Sequence, residues 1–328
     1  MRVYRSHEGD LHVLAGRTIV IVGYGNQGRA HALNLRDSGV AVLLGLRPGR
    51  PSWARAEADG FAPVPVGEAV GRGDMVAMLL PDEEQAAVYA ADVAPHLRAG
   101  AALVFAHGFA LRYGLIVPRA GLDVLLVAPV GPGTELRSLY ETGGGIPAYV
   151  AVGAGASAQA WPRCLAYAAG IGCLRAAAFE TTIAAEAEVD LFGEQSVLCG
   201  GISALLAAAF DVLVEAGYAP EMAYLECVHQ VALLANLIRL HGIDGMRARI
   251  SQTALFGDLT RGPRIVGESS RDAMRQVLRE VRDGTFAAEW TAPDAADRLR
   301  LLRDVADARA IEGVGARVRD LIRGDGNS

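Results

Sequence analysis

Between about residues 17 and 179 the chain alternates short β-branched and aliphatic runs with stretches whose apolar positions recur every three to four residues. βαβ units on a parallel sheet produce that alternation, because each strand is buried on both faces while each crossover helix buries one stripe. Strands are predicted at 18–22, 41–45, 75–80, 102–106, 124–128, 148–152 and 173–177. From about residue 182 the strand signal stops, and helical periodicity takes over at 197–216, 220–241, 269–283 and 295–308, with Gly or Pro punctuating the ends. The chain reads as α/β in class, with a Rossmann-like domain over residues 1–181 and an all-α domain over 182–328. Residues 324–328 have the composition of a frayed tail.

Directly after the first predicted strand stands Gly23-Tyr24-Gly25-Asn26-Gln27-Gly28, which opens a helix. Glycine suits such a turn because the chain must bend tightly and its backbone N–H groups must approach a pyrophosphate at a helix N-terminus. The second strand ends in Leu44-Gly45-Leu46-Arg47, where an NAD-binding protein usually carries an acid for the ribose 2′-hydroxyl. Arg47, with Arg50 and Ser52 in the same loop, offers positive charge and a hydroxyl suited to a 2′-phosphate, which predicts NADPH as the cofactor.

Composition narrows the field. A net charge of -6 gives no basic footprint, which excludes nucleic acid and anionic membrane surfaces as expected partners. All 31 basic side chains are arginine, so Schiff-base and lysine general-base mechanisms are not available. Cys164, Cys173, Cys199 and Cys227 sit in apolar stretches with no C-x-x-C spacing and are expected to be buried free thiols. The N-terminus lacks the apolar core of a signal peptide, which points to the cytoplasm. The apolar run 196–216 contains Gly200-Gly201, Asp211 and Glu215 and is expected to be a buried helix, not a membrane span.

Two pairs in the helical region have i,i+4 spacing, Asp190 with Glu194 and Glu226 with Gln230, which puts each pair on one helix face. Their apolar neighbours argue for partnered acids, and hard oxygen donors from two helices suit an octahedral Mg²⁺. His229 is expected to be a satisfied structural histidine.

These residues carry a resemblance. The glycine turn with Ala30-His31-Ala32-Leu33-Asn34-Leu35-Arg36-Asp37-Ser38-Gly39, then Leu79-Leu80-Pro81-Asp82-Glu83, Phe105-Ala106-His107-Gly108-Phe109 and Val127-Ala128-Pro129, resembles the ketol-acid reductoisomerase family. So do Glu180-Thr181-Thr182, Asp190-Leu191-Phe192-Gly193-Glu194-Gln195, Leu198-Cys199-Gly200-Gly201, Glu215-Ala216-Gly217-Tyr218 and Pro220-Glu221-Met222-Ala223-Tyr224, in the expected order. The resemblance implies the short class: a Rossmann domain, then a knotted helical domain whose intertwined homodimer or higher homo-oligomer builds each active site from two subunits. Its members convert 2-acetohydroxyacids to 2,3-dihydroxy acids in branched-chain amino-acid synthesis. Two Mg²⁺ ions promote an alkyl migration, and NADPH then reduces the migrated 2-keto acid. Carried over by position, Asp190 and Glu194 bind metal from one subunit, Glu226 and Gln230 occupy the metal positions of the other, and Ser251 holds the substrate carboxylate. His107 lines the site near the nicotinamide, while Asp82, Gln85, Pro132 and Gly133 join the cofactor set.

Two departures matter. The family's A-P-K-G-P-G run is here Ala128-Pro129-Val130-Gly131-Pro132-Gly133, so the active-site lysine is a valine, and the second glutamate of the later helix is Gln230. In addition, Thr134 replaces the family's histidine after G-P-G, and Glu135 adds an acid nearby. In a lysine-free chain drift alone supplies arginine, which keeps the charge. Valine does not. Losing one carboxylate along with one lysine leaves the site charge unchanged, as a coupled replacement would. Three readings follow: a reductoisomerase that tolerates the changes, a diverged NADPH-dependent keto-acid or ketol reductase with weakened migration, and a silent NADPH-binding protein. Retention of the cofactor loop, His107, Asp190, Glu194 and Glu226 argues against the third.

Overall fold

The structure, a computed structural model, describes residues 1–324. Apart from Gly324, the tail expected at 324–328 lies outside the described residues. The chain forms two compact units, Met1–Val189 and Asp190–Ser328.

In the first unit eight strands form one sheet: β1 (Val3–Tyr4), β2 (Thr18–Val22), β3 (Ala41–Gly45), β4 (Met75–Met78), β5 (Ala102–Phe105), β6 (Asp123–Pro129), β7 (Ala148–Val152) and β8 (Ala178–Glu180), in the order β1-β8-β7-β6-β5-β4-β2-β3. The centre, β3 to β6, is parallel as the periodicity predicts. The sheet as a whole is mixed, because β7 runs antiparallel to β6 and β1 antiparallel to β8. Successive side chains of a strand point to opposite faces, and both faces are buried. Ile19 and Ile21 join the core on one side of the sheet, Val20 and Val22 the core on the other. Its helices are α1 (Asn26–Asp37), α2 (Pro51–Ala58), α3 (Val66–Val70), α4 (Asp82–Val88), α5 (Phe109–Arg112), α6 (Gly133–Glu141) and α7 (Ala160–Gly170), and α8 (Ile183–Gly193) runs on past the unit boundary.

The strand predicted at 173–177 is a correction. Cys173–Arg175 form a 3₁₀ turn, and the strand starts three residues after it. Gly172, at φ 92°, ends the preceding helix and aims buried Cys173 and Leu174 into the core; an apolar run this short has no period that separates turn from strand.

The second unit is helical: α9 (Gly200–Glu215), α10 (Pro220–Tyr224), α11 (Val231–Arg247), α12 (Gln252–Ile265), α13 (Glu268–Asp283), α14 (Thr285–Trp290), α15 (Ala295–Asp307) and α16 (Ala310–Arg323). Two π-helical turns stand in this region: Glu194–Leu198 overlaps the start of the helix predicted at 197–216, and Leu225–His229 interrupts the one predicted at 220–241. Its core gathers Ala207, Phe210, Ala223, Tyr224, Ile311, Val314 and Val318. Gly315 lets α16 approach α10: a Cβ there would lie 2.5 Å from the Tyr224 ring.

Three expectations of burial fail here. The apolar helix is largely exposed: α9 buries Ala207 and Phe210 and leaves Ile202, Leu205 and Val212 in the open. Cys164 and Cys173 are buried as expected, whereas Cys199 is exposed and Cys227 half-buried. The His229 side chain is exposed and makes no hydrogen bond among the described residues. Cys199 stands in the turn before α9, and Cys227 and His229 in the second π turn, beside apolar side chains such as Leu198 and Leu225 that stay exposed. By length and composition alone the continuous helix Ile183–Glu215 could cross a membrane, but it carries the acid pair Asp190 and Glu194.

Candidate functional site

The three glycines of the turn do different work. Gly23 sits at φ 98°, which a side chain disfavours, and a Cβ there would lie 2.6 Å from the Leu79 carbonyl oxygen. Gly28 packs α1 against the turn, where a Cβ would collide with the Gly23 carbonyl. At Gly25 nothing outside the adjoining chain lies within 4 Å of where a Cβ would stand, and no side chain caps α1. The first-turn N–H groups of α1 are thus left without a side-chain cap, as an anion-binding helix end requires. Gly133 brings the N-terminus of α6 against Asn26, where again a Cβ would collide, and the α6 N-terminus is likewise uncapped by a side chain. Beside both helix ends opens a cavity of about 330 Å³ lined by Gly25, Asn26, Arg29, Arg55, Gly133 and Arg137. Backbone donors without side-chain caps, beside Arg55 and the carboxylate-paired Arg29 and Arg137, fit the pyrophosphate of a dinucleotide.

The surrounding side chains hold this cradle in place. Tyr24 is buried, and its hydroxyl donates to Asp59 at 2.9 Å, so only its backbone is offered to a ligand. Burial, then Asp59, pushes its phenol well above the usual range. Arg29 grips the same carboxylate at 2.6 and 2.8 Å and holds it below the usual carboxylate range, tying α1 to the end of α2. Gln27 donates to the Gly131 carbonyl at 2.9 Å, fastening the Val130–Pro132 loop beside the turn. Gln85 is buried and donates to the Leu80 carbonyl and to Asp82, at 3.0 and 3.1 Å. In the loop after β3, Arg47 donates to Glu84 at 3.0 Å, Arg50 is exposed at the start of α2, and Ser52 is half-buried in its first turn.

His107 follows β5. Its Nδ1 lies 3.2 Å from Glu186 Oε1, and Glu186 Oε2 accepts from the Gly108 N–H at 2.7 Å. Glu186 is buried, and this two-point contact keeps the imidazole proton on Nδ1 and fixes the ring plane. The sequence reading missed Glu186, although the spacing 186, 190, 194 was visible as one more step of the same i,i+4 ladder.

Asp190 and Glu194 are exposed, and Glu194 opens the first π turn. Glu226 lies in the second, where Gln230 Nε2 donates to Glu226 Oε2 at 2.8 Å, so the i,i+4 pairing is made. Ser251 caps α12, its Oγ accepting from the Ala254 N–H at 3.1 Å. Val130 is 51% exposed. No group of three His, Cys, Asp or Glu side chains stands close enough to hold a metal among the described residues. The donor chemistry suits Mg²⁺, but one chain does not gather it.

Residues 13–177 match the family described as acetohydroxy acid isomeroreductase, NADPH-binding domain, and residues 183–323 match ketol-acid reductoisomerase, C-terminal domain. An NADH-preferring ketol-acid reductoisomerase from an uncultured archean is 41% identical, with a TM-score of 0.93 over 97% of this chain and 98% of that one. Likeness of fold alone extends to a semialdehyde dehydrogenase NAD-binding protein from Cupriavidus necator, at 20% identity and TM-score 0.60 over 81% and 99% of the two chains. It also extends to a 1-pyrroline-5-carboxylate reductase from Streptococcus pyogenes, at 15% and 0.52 over 81% and 98%.

Proposed function

The chain belongs to the ketol-acid reductoisomerase family, and on that footing we propose an NADPH- and Mg²⁺-dependent oxidoreductase acting on 2-acetohydroxyacids or the related 2-keto acids. The observation that carries the reading is the open glycine cradle in the same unit as His107 held by Glu186. The cradle binds the dinucleotide, and Glu186 orients His107 beside the reacting carbonyl. Arg50 and Ser52, with Arg47, favour the phosphorylated cofactor. Bound Mg²⁺ supplies Lewis-acid polarisation of the substrate oxygens. Asp190 and Glu194 would come from one subunit and Glu226 and Gln230 from its partner, in a knotted, intertwined dimer. A shared site is consistent with the scattered donors of a single chain and with α11, α12 and α15, which bury no residue.

The second reading, a reductase with weakened alkyl migration, is favoured by the Gln230–Glu226 hydrogen bond. Migration demands stabilisation of a developing alkoxide, charge that two bound cations would supply, whereas hydride transfer needs one polarised carbonyl. The amide lacks the anionic charge that draws in a hydration-bound Mg²⁺. Purified protein with Mg²⁺ and NADPH is to be given 2-acetolactate and, separately, 3-hydroxy-3-methyl-2-oxobutyrate, the migrated keto acid. Faster turnover of the keto acid is expected. Equal rates would remove the second reading, and no turnover of either would overturn both.

A further inference from the structure

Arg47 leaves the end of β3, and Glu84 stands in the first turn of α4, which follows β4. In the sheet β3 and β4 flank β2, so the two side chains meet across the C-terminal end of the strand that feeds the glycine turn. Nη1 and Oε2 are 3.0 Å apart, and neither residue has another side-chain partner among the described residues. In a doubly wound sheet the adenosine half of a dinucleotide crosses this end, with its ribose at the loop after the second strand. The ion pair thus stands where the 2′ position of the cofactor arrives.

We propose that Glu84 is a cofactor-specificity residue: by engaging Arg47 and placing a negative charge beside it, Glu84 narrows the preference for NADPH over NADH. The inference rests on the reading that the Arg47–Ser52 loop receives the ribose 2′ position. A 2′-phosphate carries close to two negative charges. To use Arg47 it must displace or share the carboxylate. The pair is half-exposed on both sides, so it is weak enough to open, yet the carboxylate stays close enough to repel the phosphate. NADH meets no such conflict, because its 2′-hydroxyl can donate to Glu84. Arg50 has no ion pair among the described residues and keeps its charge for the phosphate. Removing the charge of Glu84 should therefore act on one cofactor and spare the other.

The test is the dissociation constants of NADPH and NADH, measured by titration at low ionic strength for the full-length protein, Glu84→Gln, Arg47→Gln and the double variant. Glu84→Gln should tighten NADPH by about 3- to 10-fold and leave NADH within about twofold, as expected for loss of one half-exposed charge. The gain should be smaller when Arg47 is already replaced, and smaller again at about 0.5 M salt, where screening is strong. An unchanged NADPH constant in Glu84→Gln, or an equal change for both cofactors, overturns the proposal. The underlying reading fails differently: Arg47→Gln, too, would then leave the NADPH constant unchanged, whereas failure of the proposal alone leaves Arg47→Gln weakening NADPH.

Discussion

At Gln230 one atom changes what a pair of side chains asks of its surroundings. Two carboxylates one helical turn apart repel unless a cation stands between them, but an amide and a carboxylate satisfy each other, as Gln230 and Glu226 do at 2.8 Å. Restoring Gln230→Glu together with Val130→Lys should raise turnover of 2-acetolactate more than the two single changes combined, since each change alone alters the site charge. Rates measured against Mg²⁺ concentration check this, and an additive result would show that the two positions act independently. Glu186 invites a second test. Glu186→Gln keeps the shape but weakens the hold on His107, and should lower kcat by about 10- to 100-fold, on the scale of the loss when a carboxylate that orients a metal-bound histidine is removed. The cofactor dissociation constant should not move. A loss of cofactor binding instead would mean that Glu186 serves only the fold. At this scale the glycine turn was legible because its demands are local. Glu84 and Glu186 were not, because their partners Arg47 and His107 lie 37 and 79 residues away.

Among the elements, β2, β3 and β7 coincide with the predicted strands, since a short apolar run bounded by turn residues leaves little else for the chain to form. The helical unit was harder to read. The periodicity predicts no helix over α12 or α16, where Pro263 in the one and Gly313 and Gly315 in the other are residues that helix interiors disfavour. The Pro263 ring is accommodated in the last turn of α12, while Gly315 is explained by packing. Gly315→Ala would push a methyl group into the Tyr224 ring and should cost about 1–3 kcal/mol, the usual range for overpacking. Thermal unfolding at fixed protein concentration checks it. An unchanged melting temperature would mean that Tyr224 moves aside freely.

For the molecule as a whole, one buried histidine ties stability to pH. His31 is fully buried, with Nδ1 2.9 Å from the Tyr167 hydroxyl, and burial pushes its pKa down to about 3. Its contribution to stability is complete above the unfolded value near 6.5 and is lost as pH falls from there toward 3, because the unfolded chain takes up a proton the folded one refuses. Between pH 6.5 and 5 unfolding free energy should drop by about 2 kcal/mol from this group alone. Denaturant titrations of wild type and His31→Gln should differ in that slope, and identical pH dependence would remove the assignment. The exposed apolar faces of α9, α11, α12 and α15 lead to a further expectation, that the smallest folded species is a dimer. Sedimentation that found an active monomer would contradict it. β1 bears on how the first unit forms during synthesis. Val3 and Tyr4 pair with Phe179 and Ala178, Tyr4 donates to Glu180 at 2.7 Å, and Ser6 reaches the Leu174 carbonyl. The strand completes a sheet edge whose other half is translated roughly 10–35 s later, at ordinary elongation rates. Until then its partner does not exist, and the edge of the growing sheet stays open to chaperones and to other nascent chains.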